Sequence, residues 1–464
     1  MDFELDTVRN QRCLVEAYQY VCSYVFGKQK VHIKQRSIIF LDVPLLVPWV
    51  DITTSPDCTS DIVPNLAPLN DSVIAFAKVV CPNTIIFFFM LIIVFYYYTI
   101  KIIKTQQFDY IIISGCHQNI RTLQVEITSD CNAACPQCPR NVYGGQTVPN
   151  LPINRWSVTD LPKMFRNNFV ANLDLIYFCG TYGDPLMHPQ VLQIADWFKQ
   201  RNPMVKIGIH TNGGVGRNQT YIDLAKVVDF IAFGIDGLDD TNHIYRRRVK
   251  WNRVMSHAES FISAGGKAKW DYIVFEHNQH QIEKARTVAA TLGFSQFNVK
   301  KTSRFLNRKH QVMPFQPVLD KNGNEEYRIY PPSDNKYINK EVTMPDKETL
   351  LQTKISCNAQ RINEIYVAAD GMVFPCGWLH DRLYGPEVES TEDYLKMKTM
   401  LKRIGGSLKA NCRYVDLQEI VDGEWFRVIS DSWGGPERVE RCAVMCGACI
   451  NPIGAQNEEI NYKD

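Results

Sequence analysis

A chain of 464 residues exceeds one ordinary domain, and two or three folded units are expected of it. Its 45% apolar and 22% charged residues are the balance of a globular protein with a sizeable core. The net charge of +2 gives no ground for a nucleic-acid partner, and 15 cysteines gathered into clusters of a long chain exclude a disulfide-stapled secreted scaffold.

Taken in chain order, residues 1–106 stand apart. The stretch 84–103 (TIIFFFMLIIVFYYYTI followed by KII) is nearly free of charge and close to the lower length limit of a membrane-spanning helix. Lys101 and Lys104 would then place the following catalytic region in the cytoplasm, with membrane contact through this segment. The competing reading is a buried β-rich hairpin, because Phe, Tyr and Ile dominate. No function is read in this region.

From 107 to 304 short apolar runs alternate with amphipathic stretches. Strands are predicted at 123–129, 173–180, 205–211, 230–236, 270–275 and 297–301, and helices at 191–200, 253–263 and 281–292. Alternating strands and helices imply βαβ units and a parallel sheet. Six units make most of a TIM-like barrel, a partial (β/α)6 fold of the α/β class with function at the C-terminal strand ends. Residues 305–356, polar and carrying Pro331-Pro332, read as a connecting region. A small cysteine-rich domain is expected over 357–464.

Just after the first of these strands, Cys131, Cys135 and Cys138 lie at spacings of x3 and x2 on one short loop. Three thiolates so placed can hold three irons of a cubane and leave the fourth open to a ligand. The competing reading, structural zinc, wants a fourth Cys or His near the loop, and the nearest, His117, is 14 residues upstream.

CxxxCxxC following a strand resembles the radical S-adenosylmethionine (SAM) superfamily. The resemblance implies a 4Fe–4S cluster on Cys131, Cys135 and Cys138, with SAM bound at its open iron. One electron then cleaves SAM to a 5′-deoxyadenosyl radical that abstracts hydrogen from substrate. One departure is Gln137, where the family often has an aromatic residue near adenine. The run Tyr182-Gly183-Asp184-Pro185 resembles the family's Gly-Gly-Glu-Pro motif. By the same resemblance Gly183, Asp184, Asn212, Asp236 and Arg246 are the candidate SAM-binding residues, with Asp236 toward the ribose and Arg246 toward the carboxylate. Arg247 and Arg248 compete for the latter role.

Downstream, Cys357 and the run Ala368–Cys376 (AADGMVFPC) resemble the opening of a SPASM/Twitch domain, which holds an auxiliary 4Fe–4S cluster. Asp370-Gly371 suits a two-residue hairpin turn. The tail offers Cys442, Cys446 and Cys449 for two remaining positions. Cys446 and Cys449 match the family's x2 spacing, and Cys442 with Cys446 is the competing pair. Too few cysteines remain for two auxiliary clusters, so the single-cluster Twitch type fits; structural zinc on the same thiolates is the alternative. The wording of these motifs is closest to a subgroup of such proteins found in phages and marine microbes.

The resemblance thus implies an iron–sulfur oxidoreductase or peptide-modifying enzyme with SAM, two 4Fe–4S clusters, and an electron donor such as flavodoxin or ferredoxin. The expected substrate is a peptide or protein side chain. A small alcohol or sugar dehydrogenase and a non-catalytic metal-binding protein are the rivals.

Overall fold

The computed structural model describes residues 119–448, apart from 167, 302–303, 306–312, 335 and 338–345, together with the backbone of three outlying strands. The chain divides into two units, Met1–Lys101 and Ile102–Asp464. In the first, β1 (Lys34–Ile39) pairs antiparallel with β2 (Val47–Asp51). The segment 84–103 lies outside the described residues. Among those described, no helix is long and apolar enough to cross a membrane.

The second unit is built on a nine-stranded, mostly parallel sheet. Its centre is β3 (Thr122–Val125), β4 (Leu175–Phe178), β5 (Lys206–Thr211), β6 (Phe230–Gly234), β7 (Ala268–Ile273) and β8 (Gln296–Lys300), in sequence order and all parallel. Sequential order with helical crossovers is the arrangement of a partial barrel. The six strands predicted from the sequence are these six. Helices α1 (Val191–Arg201), α2 (Asn218–Leu224), α3 (Trp251–Ser263) and α4 (Ile282–Leu292) supply crossovers.

Side chains alternate across each strand. Leu123, Val125, Ile176, Phe178, Ile207, Ile209, Ile231 and Phe233 are all fully buried. Phe178 meets Phe198 of α1, and Phe233 meets Phe261 of α3, so this is the helix-covered face. On α3, Val254, Ala258 and Phe261 recur every three to four residues and are completely buried. The opposite strand face carries Gln124, Tyr177, His210, Asp271 and Lys300. One face of the sheet is thus core, and the other is equipped for polar chemistry.

The region read as a connection contains a hairpin, β9 (Gln316–Leu319) and β10 (Glu325–Ile329). The segment after 357 joins the same sheet: β11 (Glu364–Val367) adds parallel to β3, and β12 (Val373–Phe374) pairs back on β11. Between them Gly371 takes φ +90°, the left-handed turn conformation that glycine adopts without strain. At the far edge β13 (Glu458–Asn461) runs antiparallel to β8.

Candidate active site

The loop carrying Cys131, Cys135 and Cys138 leaves the C-terminal end of β3, where parallel sheets place their ligands. Its two ends are fixed. The Ser129 hydroxyl donates to the Pro152 carbonyl at 2.8 Å and accepts from the Asn154 amide at 2.8 Å. Arg140, buried, donates to the Ser129 carbonyl and pairs with Asp130, which also holds Arg155 at 2.6 Å. Within the loop the Cys138 amide donates to the Cys135 carbonyl, a turn that keeps the second and third thiols together.

All nine cysteines among the described residues are free thiols. Burial pushes the Cys131 thiol well up, with Asp184 and the other two thiols adding to it. Burial raises Cys135 to about 11 although Arg246 opposes it, and burial raises Cys138 as well. Such thiols shed their protons only to a cation that replaces them, so metal loading here is coupled to proton release. N–H groups already face the sulfurs. The Ala133 amide is 3.4 Å from Cys131 Sγ, Asn212 Nδ2 is 3.8 Å from it, and Arg246 Nη1 is 4.0 Å from Cys135 Sγ. That donor set fits an iron–sulfur cluster, whose sulfurs are tuned by such contacts. Among the described residues no three His, Cys, Asp or Glu side chains converge closely enough for a single metal ion.

The residues expected to bind cofactor gather around this loop, several with their polar groups already engaged. Gly183 packs so tightly against the Thr128 carbonyl that no side chain fits there. Asp184 is buried, and its carboxylate accepts from Thr211 Oγ1 at 2.9 Å and from the Asn212 and Leu186 amides at 2.8 and 3.0 Å. It therefore ties the end of β4 to the end of β5, and burial raises its pKa. Asn212 Nδ2 reaches Asn132 Oδ1 at 2.9 Å.

In place of an Asp236 carboxylate open to a ribose hydroxyl, the structure has one with 0% exposure. One oxygen accepts from Arg246 Nε at 2.6 Å and the other from the Ile273 amide at 2.7 Å. Asp236 thus aims Arg246. Of the three consecutive arginines, Arg247 is taken by Glu326 and the Leu319 carbonyl, and Arg248 reaches the Gly145 carbonyl. Arg246 is the one that faces a cluster-loop thiol. Removing the carboxylate strands a buried guanidinium, so Asp236→Ala is expected to cost about 3–5 kcal/mol of stability. Urea unfolding reads this directly, and a midpoint equal to wild type would refute the pairing. Gln137 donates to the Arg304 carbonyl at 3.2 Å.

Near Arg246 on the polar sheet face sits a second group, which no motif in the sequence marks. His210 Nε2 lies 3.8 Å from Asp271, whose carboxylate also takes Lys300 at 2.6 Å and Asn298 at 2.8 Å. Burial, against the pull of Asp271, holds the His210 pKa down to about 4 from 6.5. The unfolded chain therefore binds this proton first, and the contribution to stability is present above pH 6.5 and lost as pH falls toward 4. Wild type should lose stability relative to His210→Gln across that window; parallel urea-derived stability curves would exclude it.

The second thiol group forms around β11 and β12. Cys357 precedes a short helix, and Cys376 begins α5 (Gly377–His380). Cys442 and Cys446 lie four residues apart on α6 (Glu440–Cys446), one above the other on a single helix face. These four thiols line one pocket with Ile355, Leu379 and Trp433. The Cys357 thiol donates to the Cys446 sulfur, which pulls the Cys446 pKa down. Cys449, the sequence-favoured partner of Cys446, lies outside the described residues, and Cys442, the alternative, is in the pocket. Cys412 is buried elsewhere in the core.

Residues 125–287 match the radical SAM superfamily. The likeness to a radical SAM domain thus lies within that stretch. The matched stretch begins on β3, contains Cys131, Cys135 and Cys138 and ends within α4. Solved structures similar to this chain include SuiB of Streptococcus suis bound to S-adenosylmethionine, with 14% identity and a TM-score of 0.38 over 56% of this chain and 61% of that one. anSMEcpe with AdoMet and the Cp18Cys peptide is 12% identical, with a TM-score of 0.41, over 70% and 88%. BtrN with AdoMet and 2-DOIA is 12% identical, with a TM-score of 0.37, over 70% and 92%. The chain spans about three fifths of the length of SuiB. No curated protein matches its sequence.

Proposed function

We propose that this protein is a radical SAM enzyme that holds one 4Fe–4S cluster on Cys131, Cys135 and Cys138 and an auxiliary one on Cys357, Cys376, Cys442 and Cys446. When bound, the first cluster supplies the electron that splits SAM into methionine and a radical able to take hydrogen from a substrate carbon. The observation that carries this reading is the Arg246 guanidinium, held by Asp236 and directed at the cluster loop beside Cys135. A fixed guanidinium is the side chain best suited to a carboxylate, here that of SAM. Asn212, next to Cys131, offers a side-chain amide to the same space, and the Asp184 carboxylate keeps that residue in place by accepting from the Asn212 backbone N–H. The four protein thiols of the auxiliary site would leave no open iron, which suits an electron acceptor or a structural centre rather than a substrate-binding one. Such a centre fits removal of the second electron from a substrate radical.

The substrate class in this reading is a peptide or protein side chain, supported by the likeness of the Cys357–Cys376 segment to auxiliary domains that often serve peptide maturases. A flavodoxin- or ferredoxin-type protein would donate the first electron. The test is anaerobic reconstitution with iron and sulfide, followed by assay of 5′-deoxyadenosine from SAM under dithionite. Its formation in the wild type supports the reading. A protein that takes up iron, binds SAM and yet yields none refutes it.

A further inference from the structure

Glu126, the first residue beyond β3, is a carboxylate sealed inside the protein with 1% exposure. Its position is odd for an acidic residue, and its contacts explain it. Oε1 accepts from the backbone N–H of Tyr182 at 2.6 Å and of Gly183 at 2.9 Å. Oε2 accepts from the Tyr366 hydroxyl at 3.1 Å and lies 3.7 Å from His380 Nδ1. Tyr366 in turn accepts from the Thr181 amide and hydroxyl at 3.3 and 3.0 Å. The turn Thr181–Asp184 therefore hangs on Glu126 and Tyr366. Its last amide, that of Asp184, donates to the Asp130 carbonyl next to Cys131.

The far side of this carboxylate belongs to the second thiol group. Tyr366 sits on β11, the strand of the Asp370-Gly371 hairpin. His380 closes α5, the helix that begins at Cys376. The Tyr182 hydroxyl completes the link by donating to the His380 carbonyl at 3.2 Å. One buried carboxylate thus touches, on one oxygen, the turn beside the radical-SAM loop and, on the other, the hairpin and helix that present Cys376. Leaving such groups without their acceptor costs the desolvation of each, so the arrangement resists change on either side.

We propose that Glu126 is a positioning residue that couples the SAM site to the auxiliary thiol site: it holds the Thr181–Asp184 turn in the geometry that receives SAM and registers that turn against the Cys376 helix. This rests on the function proposed above. Coupling of this kind is reciprocal, so order at either site should be felt at the other.

The experiment uses the reconstituted full chain, SAM itself as probe, and hydrogen exchange by mass spectrometry over residues 178–190 and 376–384. Glu126→Gln keeps the shape but must turn an amide N–H toward one of its present donors. It should weaken SAM binding by about threefold to tenfold and speed exchange in both segments. Tyr366→Phe leaves Glu126 its two amide partners and cuts only the bridge. It should raise exchange in both segments and weaken SAM binding by a smaller factor, and the double variant should lose less than the product of the two. Glu126→Asp, too short to span both sides, should not rescue. Wild-type SAM affinity in Glu126→Gln, or faster exchange confined to 178–190, overturns the coupling. Should Glu126→Gln fail to fold, Tyr366→Phe carries the test with the same readouts. Failure of the wild type to bind SAM would sink the proposed function instead, whereas the exchange pattern judges the coupling separately.

Discussion

Replacing Cys131, Cys135 and Cys138 together by Ala is expected to leave a folded protein with about four irons per chain in place of about eight, and no 5′-deoxyadenosine from SAM. The loop does not depend on its thiols for its shape. Ser129 fixes it to the 152–154 segment, Arg140 and Arg155 clamp Asp130, and the Ala134 amide donates to the Arg247 carbonyl at 3.1 Å. Three small apolar side chains in place of one buried and two half-buried thiols should therefore cost little, and loss of activity would not be loss of fold. The second thiol group sits around β11 and α6, so its iron should persist. Iron near four per chain in the unsubstituted protein, or SAM cleavage that survives the triple substitution, would end the two-cluster reading.

Much of the core was legible because a parallel sheet buried on its helix side writes itself as short apolar runs separated by amphipathic helices. Val205–Thr211 was expected as a strand and Lys206–Thr211 is one; residues 253–263 were expected as a helix and Trp251–Ser263 is one. The hairpin of β9 and β10 is not legible in the sequence, since Glu325-Glu-Tyr-Arg shows no apolar alternation and β10 stands largely exposed. Its one local sign was Asn322-Gly323, with Gly323 at φ +89°. Pairing of β11 with β3 could not be read at all, because nothing local in Glu364–Val367 names a partner so far upstream.

The site followed the same logic. Cysteine spacing identified the loop, since three thiols must share one short segment. The duties of the polar residues around it were less visible. Asp236, expected toward the ribose, has its carboxylate on Arg246, and of the three arginines Arg247 is engaged by the β9–β10 hairpin while Arg246 reaches Cys135. Glu126 is not legible as a site residue because its partners are 56, 57 and 240 residues away in the chain. A carboxylate between Val125 and Ile127 in a predicted strand is the available signal.

The tail gives the sharper test. Family spacing favoured Cys446 with Cys449, but helical periodicity favours Cys442 with Cys446, because residues four apart on α6 share a face. That face lines the pocket that also holds Cys357 and Cys376. Anaerobically reconstituted Cys442→Ala and Cys446→Ala are each expected to lose the auxiliary cluster, falling from about eight irons per chain to about four, with its electron paramagnetic resonance signal gone. Both should still release 5′-deoxyadenosine from SAM, since Cys131, Cys135 and Cys138 are untouched. Cys449→Ala should keep full iron and both signals. Iron retained in Cys442→Ala and lost in Cys449→Ala would return the ligand set to the x2 pair. Stoichiometric zinc in the wild type, with four irons, would leave the four thiols as a structural site and remove the second electron acceptor from the proposed reaction.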